Sequence, residues 1–282
     1  MADIKVIHTV SDLRSCIVDY RRQGKKIGLA PTMGNLHEGH ISLADELRKY
    51  VDIVVTTIFV NPKQFGENED FGSYPRSFEE DKAKLQAAGV EVLYAPHLSE
   101  MYPDGFSTNV SVSGVSSGLC GDARPGHFDG VCTVVTKLLL QALPDVAVFG
   151  EKDYQQLAVI KRFARDLDIP VEIIGAPILR EADGLAMSSR NGYLSPEERE
   201  IAPALNRIMR ETVTKLADGA PEAMALEEAI SKIHQAGFAK VDYFEIRNAI
   251  NLQPATYAPG DEQRLFAAAH LGRARLIDNI AI

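Results

Sequence analysis

Ile27-Gly28-Leu29-Ala30-Pro31-Thr32-Met33-Gly34-Asn35-Leu36-His37-Glu38-Gly39-His40 is the stretch whose reading decides the fold. Residues 27–30 are a short apolar run that ends at Pro31. Residues 39–50 then read as a helix, with Ile41, Ala44 and Leu47 on one face. Apolar strand, glycine-bearing turn and amphipathic helix make one βα unit, and the alternation continues outward. Residues 52–60 are β-branched and apolar, as a strand covered on both faces should be. Ser77-Phe78-Glu79-Glu80 reads as a capping box, Gly89 as the stop of that helix, and residues 90–95 as the next strand. Residues 131–143 read as an apolar helix and 146–149 as a strand. Residues 153–167 read as a helix striped by Leu157, Ile160 and Ala164, and 171–174 as a further strand. Strands alternating with helices imply an α/β fold with a parallel sheet and right-handed crossovers. Ligands of such sheets sit beyond the C-terminal strand ends, so the segments after Ala30, Val60 and Phe149 are where a site is expected.

The pattern changes over residues 175–190. Ser195-Pro196-Glu197-Glu198 is a complete helix start, with cap, proline at the first position and capping-box acid. Helices are predicted over 196–217 and 221–236, followed by strands over 241–246, 264–269 and 275–277. Helices followed by strands, without alternation, suggest a small α+β domain. The boundary is placed near Ala176, giving a catalytic domain of residues 1–176 and a smaller domain of residues 177–282. The charged, glycine-containing linker between them is expected to line the cleft.

The chain has 282 residues, enough for about two domains. Its formal charge of −9 argues against broad nucleic-acid binding, which needs basic surface to displace counterions. Cys16, Cys120 and Cys132 form no CxxC pair, so neither a zinc knuckle nor a redox motif is supported. No basic region followed by an apolar run opens the sequence, and the longest apolar stretches are too short to span a bilayer. These features predict a soluble cytoplasmic protein with no membrane partner. Asn109-Val110-Ser111 then matches a glycosylation acceptor by chance.

There is no P-loop and no GxGxxG turn. Gly114-Val115-Ser116-Ser117-Gly118 matches GxSxG, but residues 113–121 read as a Ser/Gly loop with no helix immediately after it, not as a nucleophile elbow. The histidine segment is stronger. His37 and His40, three apart at a helix start, can face the same way, and Gly34 and Gly39 let backbone approach a ligand. Helix N–H groups and two imidazoles suit phosphate oxygens that gain charge. The competing readings are ordinary turn residues and zinc ligands, but the zincin spacing is HExxH and no third ligand is evident.

Four further segments are candidates. Gly150-Glu151-Lys152-Asp153 follows a strand: Lys152 offers a point charge, Asp153 could take a ribose hydroxyl pair, and Gln156 follows. Met187-Ser188-Ser189-Arg190-Asn191 can hold a polyphosphate, or can simply be a linker loop. Asn61 and Gln64 offer amides at a strand end, or simple turn chemistry around Asn61-Pro62. Arg124-Pro125-Gly126-His127 could guard the cleft or merely pack against it.

Taken together, PTMGNLHEGH (31–40), FVNPKQFG (59–66), YPR (74–76), LCGDARPGHFDGV (119–131), FGEKDYQQL (149–157), DGLAMSSRNGYLS (183–195) and AAAHLGRARLIDNI (267–280) closely resemble the pantoate–β-alanine ligase (pantothenate synthetase) family. The match runs in order over nearly the whole chain. The family's HxGH nucleotidyltransferase fold implies a Rossmann-like catalytic domain, with MSSRN where the related synthetases carry KMSKS. The implied reaction is ATP + pantoate + β-alanine → pantothenate + AMP + pyrophosphate, through an acyl adenylate and with Mg²⁺. The resemblance implies His40, His37 and Lys152 as catalytic residues, with Ser188, Ser189 and Arg190 beside them on the phosphates. Met33, Gly34, Asn35, Leu36, His37, Glu38, Gly39 and His40 would line the nucleotide. Gly150, Glu151, Lys152 and Asp153 would do so at the ribose side, Leu179 at adenine, and Met187 with the phosphate loop. Gln64, Gln156 and Asn61 would bind pantoate. A homodimer is implied, and the second domain would act as a lid that shields the adenylate from water. Glu67 stands where the family more often has proline, and Glu80 and Asp81 are candidates to approach the metal. A related transferase that stops at adenylyl or cytidylyl transfer would share HxGH but has no use for Gln64 and Gln156. A nonenzymatic nucleotide sensor would be expected to have lost one of His37, His40, Lys152 or Arg190, and all four are present.

Overall fold

The computed structural model describes residues 3–66 and 69–282; Glu67 lies outside the described residues. The strands of the first part are β1 (Lys5–Ile7), β2 (Ile27–Thr32), β3 (Ile53–Ile58), β4 (Val92–Tyr94), β5 (Val146–Gly150) and β6 (Glu172–Ala176). They form one sheet in the order β1-β4-β3-β2-β5-β6, every neighbouring pair parallel. Its helices are α1 (Val10–Arg22), α2 (Glu38–Leu47), α3 (Phe78–Ala87), α4 (Leu98–Met101), α5 (Leu119–Ala123), α6 (His127–Ala142) and α7 (Tyr154–Asp166). Side chains alternate across the sheet, as pleating requires. Leu29, Val55, Ala147 and Phe149 pack on one face against α1, α6 and α7. Ala30, Val54, Val146 and Val148 pack on the other, against α2 and α3. Apolar burial on both faces explains why these strands read as continuous hydrophobic runs.

The chain order around the sheet reverses between β2 and β5, and that reversal makes the crevice of an open α/β sheet. The two strands pair only at Gly28–Val146 and Leu29–Ala147. Beyond that point their C-terminal ends part, and Pro31 lies in the separated stretch. The histidine turn after β2 and the Gly150–Asp153 turn after β5 face each other across this opening.

The second part carries α8 (Pro196–Ile201), α9 (Ala204–Ala217), α10 (Glu222–Gln235) and the antiparallel strands β7 (Lys240–Asn248), β8 (Gln263–Leu271) and β9 (Ala274–Ala281). Its own core joins Ile208, Met209, Ile233, Phe244 and Leu265. The fold is thus a Rossmann-like parallel-sheet domain with a smaller α+β domain.

Three local expectations are corrected, and two elements were not anticipated. The helix expected over 196–217 breaks at Pro203, which has no N–H to continue it. Ser77 makes no side-chain cap bond; its hydroxyl donates instead to Asp81 at 3.1 Å. The Ser/Gly loop does run into a helix, α5, but Ser116 donates to the Val112 carbonyl and is not a poised nucleophile. Finally, β1 and α1 had no counterpart in the sequence reading.

Candidate active site

The turn from β2 into α2 is shaped before it is functional. Gly34 has φ +86, and a Cβ there would sit 3.1 Å from Asp81 Oδ2; only glycine fits easily at such an angle. Asp81, fully buried in α3, accepts the backbone N–H of Asn35 at 2.8 Å on one oxygen and that of Leu36 at 2.8 Å on the other. Lys84 donates to the Leu36 carbonyl at 2.7 Å. The expected lining by the whole segment 33–40 therefore narrows. Met33, His37, Gly39 and His40 line the cleft, whereas Gly34, Asn35, Leu36 and Glu38 do not. Asn35 and Leu36 have already spent their N–H groups on Asp81, and Leu36 is in the core. Asp81, with both oxygens engaged, is not a free metal ligand, and Glu80 is exposed.

The two histidines form a capping box. His37 caps α2 by accepting the Gly39 N–H on Nδ1 at 3.1 Å. His40 Nδ1 accepts the His37 N–H at 3.3 Å. An imidazole whose Nδ1 accepts carries its proton, when neutral, on Nε2. Burial, then Lys152, pushes His37 down to about 4. Burial, then His37 and Lys152, pushes His40 down to about 3. Both rings are thus neutral N–H donors at neutral pH, held 4.1 Å apart between centroids. Gly39 is required by closeness: a Cβ there would fall 2.8 Å from His37 Cε1.

Across the crevice, Lys152 Nζ stands 3.6 Å from Asp153. Burial works to raise the Asp153 pKa, but Lys152 and Arg190 outweigh it and lower it. A Cβ on Gly150 would meet nothing within 4 Å, so this strand end opens on free space. Glu151 departs from expectation. Its carboxylate takes Arg264 of β8 at 3.1 Å, outside both cleft cavities.

The linker folds back as a two-stranded turn, with Arg180 bridged to Ala186 and the Leu179 carbonyl accepting the Met187 N–H at 3.0 Å. Leu179 leaves on one leg and Met187–Arg190 on the other. Ser189 donates to the Asn35 carbonyl at 3.1 Å, and Ser188 caps the following turn. The MSSRN loop is thereby packed onto the histidine turn.

On the third side, Gln64 is buried, with Nε2 3.1 Å from Met33 Sδ. Asn61 is 1% exposed and fully engaged: its Nδ2 donates to Gln64 Oε1 and to the Gly130 carbonyl, and its Oδ1 accepts from Tyr102. Asn61 thus orients Gln64 and offers no amide to a ligand. Gln156, partly exposed, lines the same space. Arg124 forks onto Glu69 at 2.6 Å and donates to His127 Nε2 at 2.9 Å, leaving His127 Nδ1–H for the Gln64 carbonyl at 2.8 Å. The two basic groups of that loop are committed to holding Gln64 in place. Sequence reasoning missed Asp81 in this role, and Gln155, whose Nε2 clamps the Ser/Gly loop carbonyls at 3.1–3.2 Å.

Two adjoining cavities result. One of about 230 Å³ holds both histidines, Gln64, Gln156 and Leu179. One of about 930 Å³ opens toward the second domain. Lys152, Asp153, Gln156, Ser188 and Arg190 border both. Two neutral N–H donors, a lysine and a Ser/Arg loop converge on one crevice, an arrangement made for an anion whose charge grows.

The model of the family "Pantoate-beta-alanine ligase" matches residues 5–281. The chain belongs to the pantoate–β-alanine ligase family. Among curated members, the pantothenate synthetase of Paramagnetospirillum magneticum is 56% identical over 279 residues, covering 99% of this chain and 98% of that one. The Marinobacter nauticus enzyme of the same name is 55% identical over 282 residues, covering 99% of each. Among solved structures, pantothenate synthetase from Thermus thermophilus superposes with a TM-score of 0.92 at 44% identity, covering 98% of this chain and 99% of that one. A Francisella tularensis pantoate–β-alanine ligase, solved with β,γ-ATP and β-alanine, gives 0.84 at 35% identity, covering 99% and 97%. Among the described residues, no helix is long and apolar enough to cross a membrane.

Proposed function

We propose that this protein condenses pantoate with β-alanine at the expense of ATP, through a pantoyl adenylate held in the crevice between β2 and β5. The observation that carries the reading is the pair of neutral imidazole donors facing Lys152 and the Ser188–Arg190 loop, in a chain that matches the family over residues 5–281. In the first step a pantoate carboxylate oxygen attacks the α-phosphorus, the bond from that phosphorus to the β-phosphate bridge breaks, and pyrophosphate leaves with the electron pair. His37 and His40 donate Nε2–H bonds to the oxygens that gain charge, and Lys152 and Arg190 add positive charge. Such preorganised donors are worth about 10²–10³ in rate each. With Nδ1 occupied as an acceptor, each ring presents its Nε2–H as the donor to that growing charge. In the second step the free amine of β-alanine attacks the acyl carbon, the C–O bond to AMP breaks, and the amine loses a proton.

Gln64, oriented by Asn61 and by the Arg124–His127 pair, and Gln156 bind pantoate in this reading. Asp153 and Gly150 meet the ribose and Leu179 the adenine. Among the described residues no group of three or more His, Cys, Asp or Glu could hold a metal. In this reading a magnesium ion would be carried in on the triphosphate, with Asp153 as the carboxylate that borders both cavities. When bound, the ion neutralises charge on the phosphates. The proposal extends to residues 177–282 as a separate domain that acts as a lid over the adenylate, and to a homodimer working in the cytoplasm.

The test is pyrophosphate release from the pure protein with Mg-ATP. Sustained release that needs both pantoate and β-alanine, and a single-turnover burst with pantoate alone, support the reading. No release from folded protein that binds ATP overturns it in favour of a different acid substrate or a nucleotide sensor.

A further inference from the structure

Asp278 and Asn279, adjacent on β9, hold the base of the linker turn and the Glu151–Lys152 main chain respectively. Asn279 is 2% exposed, and its Nδ2 donates to the carbonyls of Glu151 at 2.9 Å and Lys152 at 3.1 Å. Its Oδ1 accepts from Arg264 Nη1, and Arg264 Nη2 reaches Glu151 while its guanidinium lies 4.1 Å from the Tyr154 ring centroid. The main chain that carries Lys152 is thus gripped from the second domain. Asp278 is 4% exposed and takes Arg180 through two bonds of 2.7 and 2.8 Å, with Asn206 donating to the same carboxylate at 2.8 Å. Arg180 also donates to the Gly184 carbonyl across the turn that sends out Leu179 on one leg and Met187–Arg190 on the other.

We infer that the Asp278–Asn279 pair is a positioning clamp, which sets the spacing between Lys152 and the Ser188–Arg190 loop from a single rigid strand. Both side chains are buried; Asn279 bonds the main chain at Glu151 and Lys152, and Asp278 holds, through Arg180, the base of the turn that leads into the Ser188–Arg190 loop. An edge-strand pair placed only for stability has no need to divide its bonds between those loops. Misplacing a catalytic group by about 1 Å costs on the order of 10²-fold.

The inference rests on the proposed ligase reading, and the experiment separates the two. Pantoate-dependent pyrophosphate release is measured in single turnover for the wild type, Asn279→Ala, Lys152→Ala and the double variant. A wild type that releases no pyrophosphate defeats the ligase reading itself. With an active wild type, Asn279→Ala is expected to slow the burst by about 10–100-fold while leaving the β-alanine KM, read separately from steady-state turnover, unchanged. On the Lys152→Ala background the same change is expected to cost less than about 3-fold, because a residue acting through Lys152 has nothing left to position. An equal loss on both backgrounds, or a lowered melting temperature with an unchanged burst rate, overturns the clamp. Asn279→Asp keeps the side-chain shape and the Arg264 contact but loses the N–H donor. It is expected to be as slow as Asn279→Ala, and wild-type bursts from it would equally overturn the inference. Asp278→Asn, which weakens the Arg180 fork, is expected to raise the ATP KM and slow the burst together; a change in neither overturns the clamp's second half.

Discussion

Replacing Asp81 with asparagine tests whether the histidine turn is built from a helix 45 residues away. Asp81 is wholly buried, and each of its oxygens accepts one backbone N–H at 2.8 Å, from Asn35 and from Leu36. Ser77 donates to it as well. In Asp81→Asn one of those oxygens becomes an NH₂, which cannot accept. One charge-assisted bond, worth about 1.5–3 kcal/mol, is lost, and a buried N–H is left facing a donor. The surviving bond also weakens, because its acceptor is no longer charged. The total expected loss is about 2–4 kcal/mol. At about 2–4 °C per kcal/mol for a domain of this size, the melting temperature should fall by roughly 4–16 °C. The assay is a thermal melt in parallel with a urea titration, so that a change of slope would reveal altered cooperativity. Activity per folded molecule should fall too, because the released turn carries both cap histidines. A melting temperature within about 1 °C of wild type would refute the reasoning, since it would mean the turn holds itself.

Other expectations follow from the same geometry. His40→Ala should lower turnover by about 10²–10³ and stability by only about 1 kcal/mol, the worth of one lost cap bond; wild-type turnover would contradict the role. Gly39→Ala should displace the His37 ring, 2.8 Å from the new Cβ, and cost about 10-fold or more in turnover with little change in the pantoate KM. His37 and His40 have folded-state values of about 4 and about 3, below the ordinary 6.5. The unfolded chain therefore binds more protons as the solution is acidified. The stability tied to their neutral forms is complete above pH 6.5 and is lost progressively as pH falls toward the folded-state values. The urea midpoint should decline from pH 7.5 to 5, and a flat profile over that range would show that the rings are not held neutral.

Much of this molecule was legible in the sequence where the cause is local. Apolar runs such as residues 53–58 and 146–149 announce doubly covered strands, and residues 31–40 and 149–156 place chemistry at strand ends. What could not be read comes from long-range pairing. β1 is three residues long and exists because it pairs with β4. Asp81 in α3 looks like any first-turn acid until the histidine turn folds onto it. Asn61 has the composition of a ligand-binding amide, yet Tyr102 and Gly130 consume it. Glu151 is likewise claimed by a strand more than a hundred residues later. Pro203 is different: its missing N–H is written in the sequence, and the strong helix start at Ser195 masked it.

The histidine capping box ties local structure to the proposed mechanism. Helix starts usually take serine, threonine or aspartate. Using imidazoles instead satisfies the same N–H groups while pinning each proton on Nε2. The cap thereby fixes tautomer, orientation and charge state together, and Lys152 across the crevice reinforces neutrality.

The central claim is that a pantoate carboxylate oxygen becomes bonded to the α-phosphorus of ATP. It is tested most directly by running the reaction with pantoate labelled by ¹⁸O in both carboxylate oxygens and weighing the products. The account expects one ¹⁸O in the phosphate of AMP, one in the new amide carbonyl, and none in pyrophosphate. Unlabelled AMP, or label appearing in orthophosphate beside ADP, would contradict it.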